Sequence, residues 1–520
     1  MGKNKKDKKK GKGAEKTQAK TEKKDFHKMK KELKVMGEDD IECIVAQIEK
    51  EEKKRLQVTE TLVEPPSRRL NFTLVAHPNK DQLILYGGEY FNGGQTHLYS
   101  DLFFYNIPNN TWIAVKAPAG PPPRCGHQMV VTSANKGQLW VFGGEFASPT
   151  QSQFYHYRDL WLFHIAAKRW EKITVPNGPS ARSGHRMVFI KKQLFVFGGY
   201  NDNLRSYKYY NDIYSFNTET YKWTKLEPSG TAPSPRSGCC MVAMNDGRIL
   251  VYGGYLKKNI KKDVDKGIVL TDAFILIPEK NDVTGLKYKW VQTKIGGIHI
   301  SPRCSMPIVS ASNNLSAYCY GGVFDTEDDE ENIAGHFFND LYQLDLERLT
   351  WKNVSLSGKK EKDKTRRRKN KDGDEMNDDN EVDDQDMEIE HIEEKIESTT
   401  ISDDGIFKVT LGAAPATSGS TEIFSNGHIS KLFQPSPRAS CGLAIKHGVL
   451  YLYGGMYEDG DKQITFSDFY SLDLKKNEEW KTIIEDDTSS LEWLGSDSES
   501  DEGSEEESEE SDSSEEMDTE

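Results

Sequence analysis

At 520 residues the chain exceeds what one compact hydrophobic core organises, and 29% charged residues beside 10% aromatics imply a folded body joined to very polar segments. The net charge of -14 says nothing about that body, because residues 495–520 hold 14 Asp or Glu and no Lys or Arg, so the rest sums to zero. Seven cysteines without a C-x-x-C pair argue against a disulfide framework or a zinc ribbon, and no apolar run nears the roughly 18 residues of a membrane span.

Residues 1–37 form a basic segment, with 15 Lys and five acids in the first 34, and are expected to be solvated and disordered. Without an apolar h-region they do not read as a secretory signal, so a cytoplasmic or nuclear setting is expected, neither secreted nor membrane-bound. Residues 38–57 follow, and in "EDDIECIVAQIEKEEKKR" Ile41, Ile44, Val45 and Ile48 keep the spacing of a short amphipathic helix. It either docks on the folded body or meets a partner.

From residue 58 to 487 one pattern recurs six times. A strand-like run ends on two glycines: Gly87 and Gly88, Gly143 and Gly144, Gly198 and Gly199, Gly253 and Gly254, Gly321 and Gly322, Gly454 and Gly455. Asp101, Asp159, Asp212, Asp272, Asp340 and Asp468 come next, then Trp112, Trp170, Trp223, Trp290, Trp351 and Trp480. An arginine precedes each doublet: Arg68 (or its neighbour Arg69), Arg124, Arg182, Arg236, Arg303 and Arg438. A fixed period with four short strands per unit predicts an all-β chain in which six sheets close radially as a six-bladed β-propeller. The glycines are expected where the sheet turns tightly, and the Trp where the outermost strand covers its neighbour.

Double glycine, Asp-Leu and Trp, with Pro-x-x-Arg ahead, resemble the kelch repeat over about 350 residues. The resemblance implies an intracellular kelch β-propeller that binds peptides or proteins at its mouth. The fourth unit departs from it, with seven extra residues before Trp290. A charged insert, 358–432, separates the fifth and sixth units: nine basic residues in 359–371, then 13 acids in 372–394, a pattern expected to be disordered. The Ser-rich acidic tail, 488–520, is expected to be disordered and to attract acid-directed kinases.

Strand alternation puts the links after the glycines and the links carrying arginine on one face. Its aromatics outside the repeated slot, Tyr90, Phe91, Phe146, Phe154, Tyr155, Tyr207 and Tyr209, are the partner-binding candidates. For the arginines, pairing with loop Asp or backbone carbonyl and gripping a partner's carboxylates are both open. His127 and His185 occupy equivalent places and read as repeat positions rather than a metal pair. No catalytic or phosphate-binding motif occurs, so no enzyme activity, metal or cofactor is expected. The expected function is non-catalytic protein binding by a monomeric propeller, with reception of clients for ubiquitin ligation as the second reading and binding of basic clients such as histones or ribosomal proteins as a third. Nucleic acid would be met only weakly and without specificity, through the Lys-rich segment.

Overall fold

The second strand of every unit is a continuous apolar run, such as QLILY, QLWVF, SAYCY and VLYLY, because a blade inside a ring is covered on both sides. The computed structural model describes residues 24, 28, 31, 41–46, 58–261, 264–327, 333–358, 422–425, 428–460, 462–486, 488, 491, 493 and 494, and shows these runs buried. Six antiparallel sheets follow in chain order. Blade 1 uses Thr73–Ala76, Gln82–Tyr86, Leu102–Asn106 and Thr111–Lys116, and blade 2 Gln128–Thr132, Gln138–Phe142, Leu160–His164 and Arg169–Ile173. Blade 3 runs from Arg186–Ile190 to Lys222–Leu226, blade 4 from Cys240–Ala243 to Tyr288–Thr293, blade 5 from Ile308–Ser310 to Thr350–Asn353, and blade 6 from Gly442–Lys446 to Lys481–Ile484. The innermost strands contact their neighbours all the way round, the sixth against the first.

The core is six inter-blade layers rather than one centre. In each layer the Trp of one blade packs on the aromatic that ends the second strand of the blade before it. Ring centroids are 5.5 Å apart for Tyr86 and Trp170, Phe142 and Trp223, Phe197 and Trp290, and Tyr252 and Trp351. They are 6.0 Å apart for Tyr320 and Trp480. The sixth pair, Trp112 on Tyr453 at 5.8 Å, closes the ring.

Closure uses no strand exchange. Blade 6 supplies its own outer strand, Lys481–Ile484. Thr59–Val63 instead adds a fifth strand to blade 1, antiparallel to Thr111–Lys116. Blades 4 and 5 gain short parallel edges, Ser229–Gly230 and Gly296–Gly297. The excess in blade 4 does not spoil its outer strand. It forms a wide turn in which Asp282 accepts from the Thr284 hydroxyl and from the backbone N–H of Thr284, Leu286 and Lys287, and the Thr284 bond leads the interactions that hold its carboxyl well below the usual range.

Three expectations need narrowing, the first being the tail expected to be disordered over 488–520, of which Trp493 meets Phe91 and Leu494 bonds Asn92. Within the insert, Glu422–Ser425 pairs with His428–Lys431, and Leu432 packs against the blade 5–6 layer, so the described residues at the end of the expected disordered span carry structure. Lys24, Lys28 and Lys31 are helical and exposed in the segment expected to be solvated and unstructured. The rest of residues 1–37, residues 359–421 and residues 495–520 lie outside the described residues.

Truncating the closing aromatic should act like opening a core. Trp112→Ala is expected to cost about 3–5 kcal/mol in urea unfolding. A loss below about 1 kcal/mol would show that the seam does not rely on this contact.

Candidate functional site

The link between the second and third strands of each blade does not return at once. It rises as a two-stranded hairpin, and six hairpins crown one face: Glu89–Phe91 with Thr96–Leu98, Glu145–Ala147 with Phe154–His156, Tyr200–Asp202 with Tyr207–Tyr209, the distal halves of Ile249–Lys261 and Val264–Pro278, Val323–Glu327 with Ile333–Phe337, and Met456–Asp459 with Lys462–Thr465. In blade 4 the strands run straight through the doublet with a bulge between Tyr252 and Gly254, giving the longest hairpin.

The doublet is the junction beneath this crown. Gly143 and Gly144 have φ of 65° and 94°, and a Cβ on either would lie 2.7 Å from the Arg182 carbonyl oxygen or 2.6 Å from that of Cys125. The Gly144 N–H donates to the Arg182 carbonyl of the next blade at 3.0 Å, and the same stitch recurs from Gly88 to Arg124, Gly199 to Arg236, Gly322 to Arg438 and, across the seam, Gly455 to Arg69.

The arginines take the paired option. Arg182 donates through Nε to the Ser180 carbonyl, through Nη1 to the Gly198 carbonyl and Asp212, and through Nη2 to the Ser180 hydroxyl and Asp212. All five donors are used. Arg236 repeats the set with Ser234, Gly253 and Asp272, and Arg124, Arg303 and Arg438 pair with Asp159, Asp340 and Asp468. Each guanidinium except that of Arg236 also lies over the aromatic two residues before its aspartate, as Arg124 does at 4.0 Å from the Tyr157 ring centre. Burial opposes charge on Asp159, yet Arg124 and the Trp161 indole N–H hold its carboxyl below the usual range. In blade 1 the slot belongs to Arg69, which is buried, bonds the Gly87 carbonyl and lies 4.1 Å from the Tyr99 ring centre. Arg68 instead reaches Asp486 at 2.6 Å. Arg182 and Arg236 thus have no donor left with which to grip a ligand, and the other repeat arginines commit Nε and Nη1 to the fold.

Two positions after each repeat arginine lies a residue in the left-handed region: Asn71, Gly126, Gly184, Gly238, Ser305 and Ser440, with φ of 53–60°. Their backbones form a girdle at the hub, Gly126 N–H to Asn71, Gly184 to Gly126, Gly238 to Gly184, Ser440 to Ser305 and Asn71 to Ser440. The sequence carried a signal for it, a Gly, Asn or Ser at a fixed offset, which the four landmarks overshadowed.

Over this girdle Glu89 and Glu145 are sunk into the hairpins of blades 1 and 2. Asn71 Nδ2 donates to Glu89 at 2.8 Å, and the Tyr200 hydroxyl donates to Glu145 at 2.9 Å. Burial pushes both carboxyls up to about 7. His156 Nδ1 lies 2.8 Å from the Ser183 hydroxyl, and burial lowers its pKa. His127 and His185 sit beneath the doublets against Tyr86 and Phe142, each with a depressed pKa from burial, as repeat positions would.

The candidate aromatics part company. Tyr90 is half-buried and stacks on His97, and Phe154 is half-buried on the blade 2 hairpin. Tyr207 donates to Asp265 of the blade 4 hairpin at 2.7 Å, and Tyr209 packs between Tyr200 and Tyr255. Phe91, Phe146 and Tyr155 are covered by the chain's own ends. Trp493 meets Phe91 edge-on at 5.6 Å, and the Leu494 N–H donates to the Asn92 carbonyl. Ile41 and Val45, on the helical turn 41–46, are buried with Phe146 and Tyr157, flanked by Tyr155 and Leu98. Of the expected amphipathic helix, 38–57, the described turn 41–46 thus packs on the body, and residues 38–40 and 47–57, with Ile48, lie outside the described residues.

The β-propeller domain family of FBX42 matches residues 69–272. Kelch repeat-containing protein 2 of Saccharomyces cerevisiae is 32% identical over 155 residues, 28% of this chain and 16% of that one. With these matches, six blades each built on doublet, Asp and Trp decide the class. The chain is a six-bladed β-propeller with kelch repeats. Host cell factor of Drosophila melanogaster is 27% identical to this kelch propeller over 267 residues, 49% of this chain and 16% of that one. The flagellar outer-arm dynein alpha chain of Chlamydomonas reinhardtii is 27% identical over 261 residues, 48% and 5%. The kelch chain therefore spans less than a fifth of the length of each of these relatives. Among its described residues no group of three His, Cys, Asp or Glu side chains is placed to hold a metal ion, and no helix is long and apolar enough to cross a membrane.

Two tests follow from this geometry. Arg438→Ala strands the buried Asp468 carboxylate and is expected to cost about 3–5 kcal/mol in denaturant unfolding; an unchanged midpoint would refute the strut. Glu145, at about 7 when folded against 4.5 ordinarily, burdens the fold little below pH 4.5, increasingly as pH rises, and fully above 7. Glu145→Gln should therefore stabilise by on the order of 2 kcal/mol at pH 8 and hardly at pH 5, read as the difference in unfolding free energy from the parent. Equal effects at both pH values would contradict the buried-carboxyl account.

Proposed function

We propose that this kelch propeller is a non-catalytic interaction module that receives a protein partner on its hairpin crown. The observation that carries the reading is the division of labour on that face: the hub's arginines and glycines are consumed by the fold, while the hairpins above differ from blade to blade and present half-buried aromatics such as Tyr90 and Phe154. Large rings fixed on short strands offer contact area at little entropic cost. The charged start, "KKDVDKG" in the blade 4 hairpin and the acidic end also resemble the plan of kelch domain-containing protein 4, a likeness that supports an intracellular, cytoplasmic or nuclear, setting without naming a partner.

The reception of clients for ubiquitin ligation is the second reading, supported by the use that many kelch proteins make of the same face. A basic client, of histone or ribosomal type, is favoured only by the 14 acids of the terminal segment.

Proximity labelling of the full chain identifies the partner, and stable cullin recovery separates the two main readings. Tyr90→Ser with Phe154→Ser is expected to leave the melting temperature within about 2 °C and to weaken the identified partner at least about tenfold by titration, about 1.4 kcal/mol. Undiminished affinity would move the contact away from the crown.

A further inference from the structure

The chain's own helical turn occupies a built groove. Residues 41–46 place Ile41 and Val45, four apart, against Phe146 and Tyr157. Glu42, Cys43 and Ala46 face outward. The Ile41 N–H donates to Gln153 Oε1 at 3.1 Å. Gln153 is buried, and its loop is tied down before any helix arrives: Ser148 N–H bonds the Gln153 carbonyl, Gln153 N–H bonds the Ser148 hydroxyl, and Gln151 Nε2 bonds Thr96 of the neighbouring hairpin at 2.7 Å. The groove thus reads three things: an aliphatic, a second one four residues on, and the backbone N–H of the first.

The described turn, 41–46, makes its buried apolar contacts with the groove. Eleven residues, 47–57, join the turn covalently to the propeller, a separation that sets an effective concentration on the order of millimolar. Such an occupant needs little intrinsic affinity to stay bound, and can be exchanged without disturbing a blade.

We propose that the groove between the hairpins of blades 1 and 2 is a receptor for a short amphipathic helix, that residues 41–46 are its resident occupant, and that a partner helix with aliphatic residues at the same i, i+4 spacing binds by replacing them. This rests on the crown being an interaction surface. It adds the class of ligand and a gate: access follows release of the resident turn.

The test uses a fluorescent peptide with the sequence of residues 37–50, titrated by anisotropy into two full-length proteins, the parent and Ile41→Asp with Val45→Asp. The peptide is expected to bind the double variant at least tenfold more tightly than the parent. Adding Gln153→Ala or Phe146→Ala to the double variant should weaken it several-fold, and a peptide carrying the two Asp substitutions should not bind. Equal affinity for parent and double variant, or no binding to a double variant whose melting curve is unchanged, overturns the proposal. Loss of partner binding in Tyr90→Ser with Phe154→Ser is read separately. Peptide binding without that loss sinks the crown function alone, and that loss without peptide binding sinks this inference alone.

Discussion

A guanidinium buried at the hub must have every donor met, and most of the wheel can be read as the means of meeting them. Around Arg182 and Arg236 the aspartate supplies two oxygens, the first glycine of the doublet a carbonyl, and the serine two before the arginine a carbonyl and a hydroxyl. The aromatic before the aspartate forms the platform. The arginine's own carbonyl accepts from the doublet of the blade before. An uncompensated charge here would cost several kcal/mol, so the landmarks are coupled: none can change alone without leaving a polar group stranded.

That coupling decides where recognition can lie. A hub whose polar groups satisfy one another has few left for a ligand, and the six arginines, spaced so regularly along the chain, are for that reason poor candidates for a specific contact. The hairpins are freed from this constraint. Blade 4 extends through its doublet on a bulge, blade 3 leans on it through Tyr207 and Asp265, and blades 1 and 2 are bridged by Gln151 and Thr96 and covered by residues from both ends of the chain.

The blade count, the Trp packing and the face carrying the hairpins were legible because each follows from a period repeated six times. What escaped depended on pairings a period does not encode. Arg68 and Arg69 are adjacent and chemically alike; only the fold turns one into the hub and sends the other to Asp486. The fate of Phe91 and Phe146 turned on Trp493 and Ile41, residues distant in sequence whose docking no local pattern announces, although the apolar LEWL at 491–494 among acids was a signal of sorts. The place of Thr59–Val63 is not legible for the same reason: a lone strand fits several edges, and the register against Thr111–Lys116 selects one.

Because no strand is traded between first and last blades, the seam carries consequences for biosynthesis. The chain emerges from its amino end, so blades 1 to 5 can stack one on another as they appear. The flank of blade 1 that bears Trp112 must wait for Tyr453, which belongs to the sixth blade. Until then a broad aromatic flank stands open at the start of the arc. A nascent chain of this architecture would accordingly call for a chaperone late, at the moment of closure, rather than early.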